Sequence, residues 1–373
     1  MALNANTFSG KEFKVYVAAD DVSSNAGTFN DQQNNFLRLD VEGITLPTFS
    51  PQQEFEMRTG SGRVAEFGQI FSSSKRVITE FSLSGRLTTS DLPVFIENVL
   101  SFGGVAGSNR TTVKIPSGFS TSTSNNALTT KTHVGTDVTT ITAETNYEHT
   151  LSVAFLSPST GDGYKFSGCV ITSLTIDGDM DSAAGRLNFS ASFQTAFQPT
   201  KGNMTAPSSD AAGATKVFLS DLTTKNLNVK NHTGTSDQDD IDPILKTISL
   251  SIDNPCQFLG MFGADGNPQL VAKGVPEIGI NIAGTVKYDD ETDTLIDAHR
   301  DAAGTSFIEF NLGDIAWSSY NFADTTSTAK FGIGIPKAKL VSAEVSSDDV
   351  AMVNFEAKVL DDGTNSIIEI VTA

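Results

Sequence analysis

The sequence predicts a mainly β protein built from two tandem copies of one module, each a set of strands with a single flanking helix. The first observation is the stretch Val77 to Leu100. Thr79, Phe81, Leu83, Gly85 and Leu87 alternate with Ile78, Glu80, Ser82, Ser84 and Arg86, the period-two pattern of a half-buried strand. A polar break, Thr88 to Asp91, follows. Leu92, Phe95, Ile96, Val99 and Leu100 then fall on one helical stripe. Ser90 or Asp91 can cap this helix, and Pro93 is tolerated in its first turn.

The second observation is that the unit recurs. Ile278, Ile280, Ile282, Gly284 and Val286 alternate in the same way, and Leu295, Ile296, His299, Ala302 and Ala303 form a second stripe after the break Lys287 to Thr292. Gly85 and Gly284 are 199 residues apart. The third is a repeated closing hairpin. Lys165-Phe166 matches Lys330-Phe331, and Leu187 to Phe193 matches Val353 to Val359 at an offset of 166 with Asn-Phe-x-Ala in common. The offset falls from 199 to 166, so the first half carries 33 extra residues between helix and hairpin.

Taken in order, Phe13 to Val17 reads as a strand with Phe13, Val15 and Val17 on one face, and 36–50 as another through Phe36, Leu37, Leu39, Val41 and Ile44, ending at Pro47. Ser50 to Ser74 is a long Gly-, Ser- and Gln-rich loop. Residues 103–146 are dense in Ser, Thr, Gly and Asn and match the 33-residue excess; they form a flexible excursion or a small edge hairpin. Tyr147 to Leu156 and Phe166 to Ile176 read as strands. Asp177-Gly178-Asp179-Met180-Asp181 reads as a hairpin turn because of its Asp-Gly pair. Pro199 to Ala214 reads as a linker. The domains expected are therefore 1–200, with an insertion at about 103–146, and 215–373, joined by 201–214. Strands near Val217–Leu222, Ile244–Ile252 and Phe307–Leu312 repeat the order, with a loop around Gly260–Gly274 and an acidic tract, Ser236 to Asp242, read as a solvated loop tip.

Composition narrows the function. Twenty-five Phe and only 18% charged residues allow substantial cores. No run of eighteen apolar residues provides a transmembrane helix, and Met1 to Lys14 has no basic head followed by an apolar stretch, so no signal peptide is expected. Cys169 and Cys256 lack metal-like spacing and are expected as free thiols. Net charge is −19, with 19 acids and 13 bases in 1–200 (−6) and 25 acids and 12 bases in 201–373 (−13). Such a chain repels nucleic acid, and the acidity also serves solubility.

Catalytic motifs fail on inspection. His299-Arg300-Asp301 mimics a kinase catalytic loop, but Ser306 stands where Asn is needed; a buried or half-buried helical His is expected instead. Asp177 to Asp181 mimics a calcium loop, but Ser182 and Asn188 replace the required Gly and Glu. Gly60, Gly62 and Gly68 lie in a loop rather than between strand and helix, and His133, His149, His232 and His299 share no zinc spacing. Asp289-Asp290 precedes a helix, where negative charge suits the dipole. Neither an enzyme nor a cofactor is expected.

In its order of strand, long loop, strand ending in x-Gly-x-Leu (Gly85-Arg86-Leu87), helix and long closing hairpin, the chain resembles the tail tube proteins of long-tailed bacteriophages in their duplicated two-domain form. The resemblance covers nearly the whole chain. It implies that each half is a tail tube domain, a β-sandwich-like barrel with a flanking helix. Three chains then form a pseudo-hexameric ring whose inner wall is a closed β-barrel, and stacked rings make a hollow conduit for genome ejection. The partners implied are further copies of the chain and other tail proteins (tape measure, terminator, distal tail or baseplate). DNA is a passenger that is not bound, no membrane is involved, and the location is the virion tail after assembly in the host cytoplasm. The 33-residue excess departs from strict sixfold equivalence. Two other readings stand beside this one: a baseplate hub or distal tail protein, and a two-domain β-sandwich adhesin or carbohydrate-binding surface protein. Charge alone nominates Arg58 and Arg63 on the first long loop, with Lys75 and Arg76 just after it, to meet Asp237, Asp239 and Asp240 on the next ring.

Overall fold

The computed structural model describes residues 12–19, 29, 36–45, 52–55, 70–73, 78–89, 91–100, 105–106, 111–115, 130–132, 140–142, 150–157, 162–182, 185–197, 199–203, 216–222, 224–230, 237–241, 245–259, 270–273, 279–289, 292–301, 306–314, 317–318, 321–322, 331–346, 350–360 and 367–372. In the first half these form β1 (Lys14–Ala19), β2 (Leu37–Arg38), β3 (Val41–Thr45), β4 (Gln52–Phe55), β5 (Ile70–Ser73), β6 (Thr79–Arg86), α1 (Asp91–Leu100), β7 (Val105–Ala106), β8 (Thr111–Ile115), β9 (Thr130–Thr132), β10 (Thr140–Thr142), β11 (Leu151–Leu156), β12 (Asp162–Asp179), β13 (Asn188–Thr195) and β14 (Thr200–Asn203). The second half has β15 (Thr224–Lys230), β16 (Asp237–Ile241), β17 (Leu245–Asp253), β18 (Cys256–Leu259), β19 (Leu270–Lys273), β20 (Gly279–Lys287), α2 (Asp293–Arg300), β21 (Phe307–Gly313), β22 (Trp317–Ser318), β23 (Asn321–Phe322), β24 (Phe331–Ser346), β25 (Met352–Val359) and β26 (Ile368–Thr372).

The protein is mainly β, and its described residues form one large antiparallel sheet of 18 strands. Its central run is β3-β6-β13-β12-β17-β20-β25-β24, four strands from each half. The pairings of the two halves correspond strand for strand. β6 lies between β3 and β13 as β20 lies between β17 and β25. β11 joins β1 to β12 as β21 joins β15 to β24. β14 closes on the start of β12 as β26 closes on the start of β24. Gly85 opposite Phe189 reappears as Gly284 opposite Phe355, so the 199 and 166 offsets read from sequence hold in three dimensions. The Lys-Phe match does not: Ile335, opposite Phe310, takes the place that Phe166 takes opposite Val153.

Packing follows the alternation. Thr79, Phe81, Leu83 and Gly85 of β6 are buried while Glu80 is exposed. Against them lies the α1 stripe of Leu92, Phe95, Ile96 and Val99, all fully buried. Phe81 stacks on Phe193 at 5.0 Å and tilts against Phe166 at 5.1 Å; Phe95 meets Phe189 at 4.8 Å. Each buried ring contributes about 2–3 kcal/mol by removal from water. The second core has Ile280 and Val359 at the positions that the 199 and 166 offsets assign to Phe81 and Phe193, and it keeps Phe355 for Phe189. β11 and β21 are buried on both faces, which explains their nearly continuous apolar runs.

Several expectations need correction. β12 continues to Asp179, so Asp177-Gly178 lies in the strand and not in the turn; the reversal begins at Met180, where Ser182 N donates to Asp179 O at 2.9 Å and Gly185 takes φ +72°. Gly178 is required there for room: a Cβ would meet Leu187 Cδ2 at 2.7 Å and Leu219 Cδ1 at 3.0 Å. The segment read as a strand near Val217–Leu222 is a bridge to Arg186 followed by a 3-10 turn over Leu219–Asp221, docked on the first half through Leu187 N to Val217 O at 2.9 Å and Leu219 N to Gly185 O at 2.7 Å. Thr200–Asn203 belongs to the first half rather than to a linker, because it pairs with β12. The long loops Ser50–Ser74 and Gly260–Gly274 are entered by two-stranded hairpins, β4–β5 and β18–β19. The strand read over 36–50 divides into β2 and β3.

The 103–146 segment contributes two short hairpins. β7–β8 adds to the large sheet by pairing β8 with β26, Ile115 opposite Ile368, while β9–β10 stands apart. His299 is exposed, in the last turn of α2, so the buried-helical-His expectation is overturned; the α2 stripe is Leu295 and Ile296 with Ala298. The neighbouring Arg300 suits the negative end of the helix dipole. At the other end Asp289 and Thr292 cap reciprocally, Asp289 N donating to Thr292 Oγ1 at 2.8 Å and Thr292 N to Asp289 Oδ1 at 3.1 Å.

Candidate functional site

The feature with the most to say about function is the seam where the halves meet. β12 of the first half pairs with β17 of the second through seven consecutive positions, from Ser173 opposite Asp253 to Asp179 opposite Thr247. Ile176 and Leu250 face each other across it, each 3% exposed. Asn254 reinforces the seam. Its N–H donates to Thr172 O at 2.9 Å and its side-chain amide donates to Val99 O at the end of α1. Cys256 Sγ lies 3.1 Å from Gln194 Oε1, again bridging the halves, and both cysteines are free thiols as expected.

Duplication gives β12 and β17 counterparts elsewhere in the chain. The counterpart of β12 is β24; that of β17 is β3. Among the described residues, β24 beyond Ala338 pairs only with β25, and β3 pairs only with β6. Two strand edges that meet inside the chain are thus each repeated once with their outer side open. An open edge offers a row of backbone donors and acceptors for another strand. The side chains register the difference. Gly178 is buried, whereas Val345, its counterpart, is 47% exposed, and Val341 nearby is 55% exposed. Ile248 and Leu250 are buried, whereas their counterparts Val41 and Ile44 are half-exposed.

The face of the central sheet away from the core is carpeted with small polar side chains: Ser82 and Ser84 on β6, Ser190 and Ser192 on β13, Thr175 on β12, Thr247, Ser249 and Ser251 on β17, Thr285 on β20. Asp177, Asp179 and Glu356 line a shallow groove that crosses the seam on this face. Burial pushes the Asp177 carboxyl above its ordinary value, against the hydrogen bond from Asn188. Near β3 the charges are instead balanced: Arg86 Nε meets Glu42 at 2.8 Å, Arg186 reaches Glu42 at 3.5 Å, and Lys216 and Arg86 flank Asp40 at 3.5 and 3.8 Å. These exposed pairs orient strands more than they stabilise them.

Beneath that network sits Asp91, 1% exposed at the start of α1. The sequence offered Ser90 or Asp91 as the cap. The hydroxyl that accepts from the helix is that of Thr88, taking the Asp91 N–H at 3.2 Å. Burial raises the Asp91 carboxyl from 3.8 to about 7; the Thr88 hydroxyl and backbone oppose this, and the negative charge of Asp40 adds to it. Neither carboxyl oxygen makes a hydrogen bond of ordinary geometry, so Thr88 offsets only part of the burial cost.

Of the residues nominated for ring-to-ring contact, Arg58, Arg63, Lys75 and Arg76 lie outside the described residues. Asp237, Asp239 and Asp240 do not sit on a loop tip: they belong to β16, with Asp240 opposite Asn228 and Asp237 opposite Lys230 of β15. Among the described residues, no group of three or more His, Cys, Asp or Glu side chains is placed to hold a metal ion, and no helix is long and apolar enough to cross a membrane. No family model matches the chain, and no curated protein sequence matches it.

Proposed function

We propose that the chain is a structural subunit of a bacteriophage tail tube, in which copies associate side by side into rings and the rings stack into a hollow conduit for genome passage. The observation that carries this reading is the seam. Two copies of one module are joined edge to edge, and the same two edges remain unpaired in the described structure, so addition of further copies continues the sheet instead of ending it. Ring closure, with three chains giving six modules, pairs both of these edges. The polar face supports the conduit: Ser, Thr and Asn side chains with acids along the seam, in a chain of net charge −19, disfavour phosphate binding, although Arg86, Lys287, Lys339 and Lys358 also lie on that face. On this reading the protein is a virion component without catalytic residues or cofactor, and its partners are its own copies and the other tail proteins.

Negative-stain microscopy of the purified full chain tests the proposal. Stacked rings or hollow tubes are expected; single particles the size of one chain at all concentrations would overturn it. The ring-to-ring contact has its own test. Arg58→Glu with Arg63→Glu is expected to shorten tubes and lower their yield without changing the diameter, measured on the same grids. Unchanged length and yield would remove these residues from the stacking interface, though not the ring proposal.

A further inference from the structure

We propose that β3 of a second copy docks head to tail along the edge of β24 that has no strand partner among the described residues, in the register that β12 and β17 set within the chain. The inference rests on the self-association reading and deepens it by naming the strands, the register and the residues. The equivalences follow from pairing alone. Ile176 faces Phe189 and Ala343 faces Phe355, so Ala343 stands for Ile176. Leu250 faces Ile282 and Ile44 faces Leu83, so Ile44 stands for Leu250. Since Ile176 pairs Leu250 within the chain, Ala343 pairs Ile44 of the next copy, flanked by Ser342 with Thr45 and Glu344 with Gly43. Beyond this the register bends, because β3 carries a bulge between Val41 and Gly43 that β17 does not share at that position.

The side chains fit such a partner. Ala343 and Ile44 are on the core face of their strands, and pairing them buries Ile44 as Leu250 is buried at the seam. Val345 is in phase with the core yet 47% exposed, because the β24 edge has no described neighbour there. β6 fixes the face of Ile44 and β25 that of Ala343 and Val345, so a one-residue slip between the two edges would set core-facing side chains opposite polar-facing ones, and the pleat fixes the register. The same argument selects β3 over a second β24: two β24 edges would set Glu344 close to Glu344, like charges across a strand pair.

The test is disulfide trapping in the full chain carrying Cys256→Ser, with buried Cys169 retained. Ile44→Cys combined with Ala343→Cys is expected, on oxidation, to give covalent multimers on a denaturing gel. Directly opposed strand residues lie within disulfide reach. The slipped pair, Thr45→Cys with Ala343→Cys, places its thiols on opposite faces and is expected to cross-link about tenfold less. Three results would overturn the inference: oligomers by light scattering without cross-linking of the 44/343 pair, equal cross-linking of the slipped pair, or covalent dimers from Ala343→Cys alone. In each of these the proposed function survives. A chain that stays single at every concentration would overturn both. Val345→Lys supplies a second reading, with the expected assembly threshold raised at least about tenfold and an unchanged unfolding midpoint of the single chain; an unmoved threshold would also overturn the inference.

Discussion

Gly85→Ala is expected to cost more than about 3 kcal/mol and to release β3 from the sheet. A Cβ at position 85 would lie 2.2 Å from Asp40 O and 2.9 Å from Val41 Cα. Both are backbone atoms, so no side-chain rotation relieves the clash. The chain must lift Asp40 and Val41 off β6, and with them go the Arg86 N to Asp40 O bond of 3.0 Å and the charge network around Glu42. Gly284→Ala is the informative comparison. There the Cβ meets Thr247 O at 2.6 Å and the Phe355 ring at 2.9 Å, but β17 is held on its other side by β12. Its loss is expected to be smaller. Gly202→Ala, with nothing within 4 Å, is expected within about 0.5 kcal/mol of the parent. Denaturant unfolding of the three variants checks the order. Because Gly85→Ala frees the strand assigned to the next copy, it is also expected to abolish assembly, which sedimentation reads directly.

Asp91→Asn is expected to stabilise the protein at pH 8 and to flatten its stability between pH 4 and 7. The folded carboxyl titrates near 7, above its ordinary 3.8. Below pH 4 the acid is neutral in both folded and unfolded chains and imposes no penalty. As pH rises towards 7 the unfolded chain ionises while the folded one holds its proton. Stability therefore falls across this window and levels off above 7. The full difference corresponds to roughly 4 kcal/mol, less whatever the carboxylate returns as a negative charge at a helix start, about 0.5 kcal/mol. Asn keeps an acceptor for Thr88 and removes the charge beside Asp40. Thermal unfolding of parent and variant at pH 5, 6, 7 and 8 decides the matter: the gap should widen with pH, and a constant gap would mean that packing rather than ionisation sets the effect.

What the sequence disclosed and what it hid divide along physical lines. Val77–Leu100 was legible because the apolar period changes from 2 to 3.6 within one stretch, and the solvent face is polar enough to show it. The duplication was legible through Gly85 and Gly284, two positions where strands approach too closely for a side chain. Strands that owe their conformation to a partner were not. β16 reads Asp-Gln-Asp-Asp-Ile and has no strand composition; β15 supplies the ladder that holds it extended. β14, Thr-Lys-Gly-Asn, is extended for the same reason. Asp177-Gly178 carried a turn signature, yet that glycine serves the contact with Leu187 and Leu219, which local sequence cannot reveal. Tyr16, Ala18 and Ala154 form part of a second small core on the opposite face of β1, invisible to a one-faced reading of that strand. The seam itself depends on β12 meeting β17 some seventy residues later, and no periodicity reports such a meeting. It becomes inferable only once duplication is combined with observed pairing.

The ladder between β8 and β26 has a consequence for biosynthesis. Ile115 and Ile368 are 253 residues apart, since 368 − 115 = 253. At translation speeds of roughly 5–20 residues per second, β8 waits on the order of ten seconds or more for its partner to leave the ribosome. During that interval the nascent first module carries an unsatisfied ribbon, and its maturation is tied to completion of the second. Such distant pairings place the polypeptide among slow, high-contact-order folders, and a truncated product ending before β26 would expose that ribbon to aggregation.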